Sequence, residues 1–123
     1  MATVAPVITM QVGGSDGNAA LITWPMVTAN VEGIGVEFVQ FTDLCWQAFA
    51  TNQGGATVTI QGSNDGTNWF SLTNASGGAA MTFAADGGKQ SVERPRYVRP
   101  YMTTPGVAAV IAITLLARRN PVR

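Results

Sequence analysis

Hydrophobic and polar residues alternate along several short stretches of the chain, as they do in a β-strand that buries one of its two faces. In the stretch "TVTIQ", Val58 and Ile60 point to one side, while the two threonines and Gln61 point to the other. The stretches with this strand-like character are residues 3–12, 20–30, 35–43, 45–51, 56–62, 69–73, 81–84, 96–103 and 107–118. Short segments rich in Gly, Asn and Asp separate them, and these residues favour turns.

This succession of short strands and turns predicts an all-β fold, either a small antiparallel β-sandwich or a jelly-roll-like barrel. The 123 residues suit one domain, and no segment is long or Ser/Pro-rich enough to be a linker. We therefore predict a single β-sandwich domain over residues 1–123. Residues 1–8 are predicted to form either an arm that reaches a neighbouring molecule or the first strand, and residues 119–123 a short tail.

The last predicted strand is apolar on both of its faces. One face carries Val107, Ala109, Ile111, Ile113, Leu115 and Ala117, and the other carries Ala108, Val110, Ala112, Thr114 and Leu116. Only one face can meet the core of a small sandwich, and the other would leave an apolar patch in water. We therefore predict that Val110, Ala112, Thr114 and Leu116 lie in a subunit interface. The alternative is that a loop or the N-terminal segment of the same chain covers them.

The stretch "RYVRPYM" also alternates, so that Tyr97, Arg99 and Tyr101 are expected on one face of a strand. Pro100 has no N–H group to give to a neighbouring strand, and we expect it at a sheet edge or a bulge. Arginine and tyrosine are favoured in protein interfaces. This strand is therefore a candidate contact surface.

Charge is sparse and unevenly distributed along the chain. Only 11% of the residues are charged, against about 25% in an average globular protein, which suits a surface that packs against neighbours. Residues 1–88 contain six acidic residues and no Lys or Arg, whereas residues 89–123 contain seven basic residues and the acidic Glu93. This pattern predicts either two differently charged faces or a basic segment that docks on an acidic partner surface.

So few basic residues argue against a nucleic-acid partner. The longest apolar run, 11 residues at 107–117, is too short for a membrane-spanning helix, which needs about 20. The first ten residues lack the basic start and long apolar core of a secretion signal. We therefore expect neither a nucleic-acid partner nor a membrane partner.

The chain lacks the residues that most catalytic and metal sites need. It contains no histidine, which removes the usual general base and the imidazole ligand, and its one cysteine cannot form a thiolate zinc site. Asp16, Asp65 and Asp86 each precede a glycine, which is typical of a tight turn. Cys45, in the apolar run "LCWQAF", is predicted to be an inert buried thiol. We predict that the chain is not an enzyme and binds no metal or cofactor.

The segment "SNDGTN" is predicted to be the connection of a hairpin, with Asn64, Asp65 and Gly66 as structural turn residues. A calcium site is the alternative, although the segment has one carboxylate where calcium loops usually have several. Trp46 and Trp69 are predicted to lie in the core, with a sugar-stacking platform as the alternative.

Two segments of the chain together are similar to a known family. They are "VTIQGSNDGTNWFSL" and "ERPRYVRPYMTTPGVAAVIAITLLARR". A hairpin of the "GSxDGTNW" type, followed about 25 residues later by "RPRYVRP", a Gly-containing turn and an apolar strand, resembles the decoration (cement) proteins of tailed-bacteriophage heads. The resemblance covers roughly the C-terminal half of the chain. It implies a compact sandwich or jelly roll that assembles as a trimer over local three-fold positions of the capsid and binds several coat subunits.

The predicted function is therefore that of a virion structural protein on the outer capsid surface, which stabilises contacts between subunits of the major capsid protein. Its expected partners are the major capsid protein and further copies of itself, as a homotrimer. We expect it to be made in the cytoplasm of the bacterial host. The alternative functions are a carbohydrate-binding virion module and a minor tail or head-completion protein.

The candidate capsid-contact residues are Arg94, Arg96, Tyr97, Arg99, Tyr101, Arg118 and Arg119. For Arg94 and Arg96 the alternative is an ion pair with Glu93 or Asp86 inside the subunit. For the last arginines of the chain the alternative is a solvated tail.

Overall fold

The structure is a computed structural model, and it describes residues 3–10, 19–37 and 43–118. Within these ranges the chain forms strands and no helix. The strands are β1 (Thr3–Val4), β2 (Val7–Met10), β3 (Ala19–Val27), β4 (Glu32–Gly33), β5 (Val36–Glu37), β6 (Asp43–Asn52), β7 (Thr57–Ser63), β8 (Phe70–Ser71), β9 (Thr82–Phe83), β10 (Gly87–Gln90), β11 (Tyr97–Thr104) and β12 (Val110–Arg118).

The strands form two sheets that pack against each other. The first has seven strands in the order β1-β4-β11-β7-β8, with β5 also beside β11 and β9 also beside β7. The second has five strands in the order β10-β6-β12-β3-β2, all antiparallel. Neither sheet, over the described residues, closes into a barrel. The predicted all-β sandwich is therefore confirmed, in an open form with two sheets.

The core lies between the sheets and is built from the inward residues of both. In β12 the inward residues Ile111, Ile113 and Leu115 are at most 1% exposed. The other large and fully buried side chains are Ile22, Trp24, Met26, Trp46, Ile60, Leu72, Met81, Phe83 and Met102. Burial of each such aliphatic or aromatic side chain contributes roughly 1.5–3 kcal/mol.

Two tryptophans form the centre of this core. Trp24 and Trp46 stack with their ring centroids 5.8 Å apart and their planes inclined by 19°. Nε1 of Trp24 donates to the carbonyl of Ile34 at 2.9 Å, and Nε1 of Trp46 donates to Oγ of Ser91 at 3.1 Å. Both indole N–H groups thus have the partner that a buried indole needs. The predicted core position of Trp46 is confirmed.

Pro100 lies inside the seven-stranded sheet, so the predicted edge position is wrong, but the predicted bulge is confirmed. It pairs with Ile60 of β7 on one side. On its other side the register shifts by one residue, because Tyr101 pairs with Glu32 whereas Val98 pairs with Val36. The neighbouring strand is interrupted there, because β4 ends at Gly33 and β5 begins at Val36. Gly33 lets the proline ring approach, since a Cβ at that position would lie 2.7 Å from Pro100 Cδ. The proline therefore falls opposite a gap, where its missing N–H costs no ladder bond.

One strand lies where the sequence predicted a turn. Gly87 and Gly88 belong to the segment "ADGG", yet they begin β10 and pair with Ala48 and Gln47 of β6. Glycine has no side chain, so a strand that begins with two glycines shows no alternation. The prediction of a turn at these two residues is wrong for that reason.

The N-terminal segment joins one edge of each sheet. β1 pairs in parallel with β4, and β2 pairs with β3 in the other sheet. The N–H of Ile34 donates to the carbonyl of Val4 at 2.9 Å. Residues 3–8, which were candidates for an arm, thus lie along the sandwich of their own molecule. Val7 and Ile8 remain 65% and 48% exposed. Residues 1–2 and the predicted tail at 119–123 lie outside the described residues.

Candidate interaction surfaces

The outward side of β11 carries a cluster of aromatic and arginine side chains. Alternate residues of this strand are buried in the core, so that Tyr97, Arg99 and Tyr101 point outward and are half-buried. Their predicted common face is confirmed. The surface formed by Trp69, Arg96, Tyr97, Arg99 and Tyr101 is called the aromatic face below.

Arg99 is the central residue of the aromatic face. Its Nε donates to Oε1 of Gln61 at 3.0 Å, and its Nη1 lies 3.0 Å from Oε2 of Glu32. Its guanidinium carbon lies 4.0 Å from the ring centroid of Trp69 and 5.4 Å from that of Tyr101. Burial lowers the pKa of Arg99, while the Glu32 carboxylate opposes that shift. The arginine therefore fixes two aromatic rings and two polar side chains in one arrangement.

Trp69 lies on this outer surface, half-buried, so the prediction that it lies in the core is wrong. It precedes β8 and belongs to the connection that follows the "SNDGTN" turn. Its ring covers Arg99 and reaches Gly35, where a Cβ would lie 2.8 Å from Trp69 Cη2. An indole can be covered in this way by a cation without entering the core.

The "SNDGTN" turn is held by hydrogen bonds within itself. Oγ of Ser63 accepts from the N–H groups of Asp65 and Gly66, and it donates to Oδ1 of Asp65. Oδ1 of Asp65 also accepts from the N–H groups of Thr67 and Asn68, and Oδ2 accepts from the Asn68 amide. These donors, led by Asn68 and Thr67, hold the pKa of the Asp65 carboxyl well below its usual range.

The same turn packs against the start of β11. Gly66 has φ of 78°, and a Cβ there would lie 3.4 Å from the ring of Tyr97. Oδ1 of Asn64 accepts from the N–H of Arg96 at 3.2 Å. Both carboxylate oxygens of Asp65 are engaged by the turn itself. Among the described residues, no three His, Cys, Asp or Glu side chains are grouped so that they could hold a metal ion.

Arginines near the C-terminal strands form ion pairs with acidic residues from the first half of the chain, within one subunit. Arg96 lies 2.7 Å from Glu37, and both side chains are about half exposed. Arg118 lies 3.9 Å from Asp43 at the end of β12. These pairs form because β11 lies beside β4 and β5, and β12 lies beside β6. Acidic and basic residues that are far apart in the sequence are thus neighbours in the fold.

The predicted intrasubunit partners of Arg96 are wrong. Glu93 instead accepts from the N–H and Oγ of Thr73 at 2.7 and 2.6 Å. Burial raises the pKa of Glu93, yet the hydrogen bonds from Thr73 together lower it. Asp86 accepts from the N–H of Ala50 at 2.8 Å. Both carboxylates therefore tie loops to strands.

The outward side of the five-stranded sheet is apolar and uncharged over most of its area. In register across the sheet, Leu116 lies between Leu21 and Cys45, and Ala112 lies between Pro25 and Phe49. We call this surface the apolar face. Its residues are Val7, Leu21, Thr23, Pro25, Val27, Cys45, Gln47, Phe49, Val110, Ala112, Thr114 and Leu116.

Several side chains of the apolar face are open to solvent. Phe49 is 59% exposed and Val110 is 47% exposed, while Ala112, Thr114 and Leu116 are half-buried. The N-terminal strand β2 extends this face at its edge, because it pairs with β3 in the same sheet. Residues 3–10 of the N-terminal segment therefore do not cover the outward side of β12, and for them the alternative prediction is wrong. An antiparallel sheet with one solvated face usually carries polar residues there.

Cys45 is exposed on the apolar face, so the prediction of a buried thiol is wrong. Its neighbours Leu44 and Trp46 point into the core, and a strand turns alternate residues to opposite sides. The same alternation turns Phe49 outward, and sequence reasoning missed that residue too. In "DLCWQAFA", Cys45 and Phe49 fall on the same side of a strand as the polar residues Asp43 and Gln47, and this alternation marks both as outward.

The remaining predicted contact residues lie apart from these clusters. Arg94 is exposed in the connection before β11, and Arg118 is exposed at the end of β12. Arg119 lies outside the described residues. The structure thus brings Arg96, Tyr97, Arg99 and Tyr101 together and leaves Arg94 and Arg118 at other places on the surface.

Comparison of the chain with protein-family models, with curated proteins and with solved structures found no match. No helix within residues 3–10, 19–37 and 43–118 is long and apolar enough to cross a membrane. The surfaces themselves therefore carry the functional argument.

Proposed function

We propose that this chain is a virion structural protein that decorates the outside of a tailed-phage capsid and stabilises contacts between subunits of the major capsid protein. The observation that carries the proposal is the exposed apolar face. A protein that works alone seldom leaves so much uncharged sheet in water, whereas an assembly component covers it. The resemblance of the "SNDGTNW" hairpin and the "RPRYVRP" strand to phage decoration proteins supplies the kind of assembly.

The aromatic face is our proposed contact with the coat. Its rings are already held in place by Arg99, so binding would order few further side chains. Tyr, Trp and Arg are also the residues that most often dominate the affinity of an interface. Arg96, which is exposed and paired with Glu37, lies at the rim of this face, where a charge affects the rate of docking more than the affinity.

Attachment in several copies would make modest contacts effective. If the chain is a trimer, each further contact with the shell forms at a high effective concentration. A protein that binds only the assembled shell shifts the equilibrium toward that shell by mass action. Stabilisation of the capsid then needs no catalytic group in the decoration protein.

The first test is the location and copy number of the chain. Antibodies against the purified protein are expected to label the outer surface of phage particles from the source strain. Quantitative mass spectrometry of those particles should give hundreds of copies for a decoration protein. A dozen or fewer would replace the proposal by the tail or head-completion alternative, and absence from particles would overturn it.

The second test removes a ring from the aromatic face. We expect Tyr97→Ala to weaken binding to empty capsids of the encoding phage in co-sedimentation. Phe70→Ala is the matched control, because Phe70 is 42% exposed in β8 and lies outside the aromatic face. Equal binding of the two folded variants would contradict the assignment of this face to the coat.

The carbohydrate-binding alternative would use Trp69. One side of its ring already lies against Arg99 at 4.0 Å, and Gly35 lies against its edge. That leaves less of the ring for a sugar, which is why we prefer a protein partner. Glycan-array binding that is lost in a folded Trp69→Ala variant would reverse this preference.

A further inference from the structure

We infer that copies of this chain meet through their apolar faces, with β12 at the centre of the contact. This inference names a second copy of the chain as the partner of the apolar face. Only the role of the contact on a capsid rests on the proposed function. The contact itself is a property of the purified chain. Two identical faces that meet in this way are related by a two-fold axis, so the contact joins two copies.

Charge is the first argument for another copy as the occupant. Across the width of the sheet, the outward residues in register with Ala112, Thr114 and Leu116 are all uncharged. Asp43 and Arg118, which are in register at one end of β6 and β12, form an ion pair with each other. A partner that recognised this surface by charge would have nothing to pair with. Another apolar face is neutral as well, so it can approach without repulsion.

Area is the second argument. The three long strands β3, β6 and β12 have nine, ten and nine residues, and β2 and β10 have four each. At about 3.4 Å per residue and about 4.8 Å between strands, they cover roughly 550 Å² of flat surface. Two such faces give roughly 1,100 Å², which exceeds the roughly 1,000 Å² that a specific interface needs.

The distribution of large and small side chains on the apolar face is the third argument. Small side chains, Ala112 and Thr114, lie in the middle of the central strand, and Phe49 stands beside Ala112 on β6. Phe49 is 59% exposed, so the large ring projects next to a shallow centre. A large side chain that projects beside small ones allows the side chains of two identical faces to interdigitate.

The experiment measures the mass of the purified chain by light scattering over a range of protein concentrations. We expect a dimer for the wild type, because two identical faces pair around a two-fold axis. Thr114→Arg places a charge at the centre of the contact in every copy, and it should raise the dissociation constant at least about 100-fold. Thr67→Arg makes the same change on the exposed "SNDGTN" turn, and it should leave the mass unchanged.

Cys45 supplies an independent readout, because it is the only cysteine and lies beside Leu116 on the apolar face. Its reaction with a thiol reagent should slow as the protein concentration rises and the contact forms. Thr114→Arg should react at the fast rate at every concentration. If Thr114→Arg does not fold, Phe49→Gln replaces it, since that side chain is largely exposed and its loss should weaken assembly.

The outcomes separate this inference from the proposed function. A dimer with a protected thiol supports the contact. A trimer would overturn the face-to-face contact and would agree with the arrangement that the resemblance implies. A dimer that fails to bind capsids keeps the inference and overturns the coat assignment. A monomer at all concentrations, with a thiol that reacts at one constant rate, overturns the inference.

Discussion

Replacement of Arg99 by lysine tests whether this residue organises the aromatic face. Lysine keeps the positive charge but has a single ammonium in place of the planar fork of arginine. It cannot contact Gln61 and Glu32 at once while lying flat on Trp69. The lost hydrogen bond to a charged group is worth about 1.5–3 kcal/mol, and the lost stacking about 0.5–1 kcal/mol. Because the Arg99 side chain is still 13% exposed, we expect the lower end of this range, about 2 kcal/mol.

Arg96→Lys is the matched control for this experiment. Arg96 and Glu37 are 53% and 44% exposed, and an ion pair in that position contributes at most about 1 kcal/mol. Urea unfolding followed by far-UV circular dichroism measures both variants. With a slope of about 2 kcal/mol per molar urea, Arg99→Lys should lower the midpoint by about 1 M. Equal midpoints for the two variants would refute the view that stacking and the fork geometry hold this face together.

Two further predictions concern the turn and one glycine. The folded-state pKa of Asp65 is lowered, so its carboxylate stabilises the fold above the unfolded-state pKa of about 3.9, and this stability is lost as the pH falls through the folded-state pKa. Urea unfolding should therefore find Asp65→Ala less stable than the wild type at pH 7, with a difference that shrinks below pH about 4; a constant difference would contradict this. Gly62→Ala should cost about 1–3 kcal/mol in thermal unfolding, because its Cβ would overlap the Pro95 ring and lie 2.8 Å from Leu72 Cδ2. Gly87→Ala, where nothing lies within 4 Å, should change the stability by less than about 0.5 kcal/mol, and equal losses would contradict the overlap argument.

Most of the fold follows from alternation and turn residues. Val58 and Ile60 of β7 and Ile111, Ile113 and Leu115 of β12 are large, branched and inward. The Gly-containing segment "SNDGTN" begins at the end of β7, and "TTPG" precedes β12. Local information of this kind locates a strand and tells which residues share a face. It does not tell which strands are neighbours, because that depends on contacts between distant parts of the chain.

The aromatic face shows this limit. Gln61, a partner of Arg99, is 38 positions away in the sequence, and Glu32 reaches it from β4. Only the order of strands brings β4, β11 and β7 side by side. The sequence placed Tyr97, Arg99 and Tyr101 on one side correctly. It could not supply the ring of Trp69 that covers Arg99.

The apolar run around Cys45 shows a second limit. The composition of "LCWQAF" suggests a strand that is apolar on both sides, and the prediction of a buried thiol is wrong for that reason. The alternation, which puts Cys45 on the same side as Asp43 and Gln47, is the signal that marks that side as the outer one. Trp46 and Leu44 occupy the inward positions. β6 and β12 share this double-faced character, and they are direct neighbours.

The order of strands also explains why the two outer surfaces differ. β11 carries Arg99 outward, Arg96 directly precedes it, and the strand lies between β7 and the strands that carry Glu32 and Glu37, so both positive charges are neutralised within the subunit. β12 lies at the centre of its sheet, and the outward residues of both its neighbours are uncharged except Asp43, which forms an ion pair with Arg118 at the end of β12. One apolar strand alone would leave a narrow stripe that its neighbours could shield. Three such strands in register leave a flat surface wide enough for a protein partner, so the argument for assembly rests on the register of β3, β6 and β12 rather than on β12 alone.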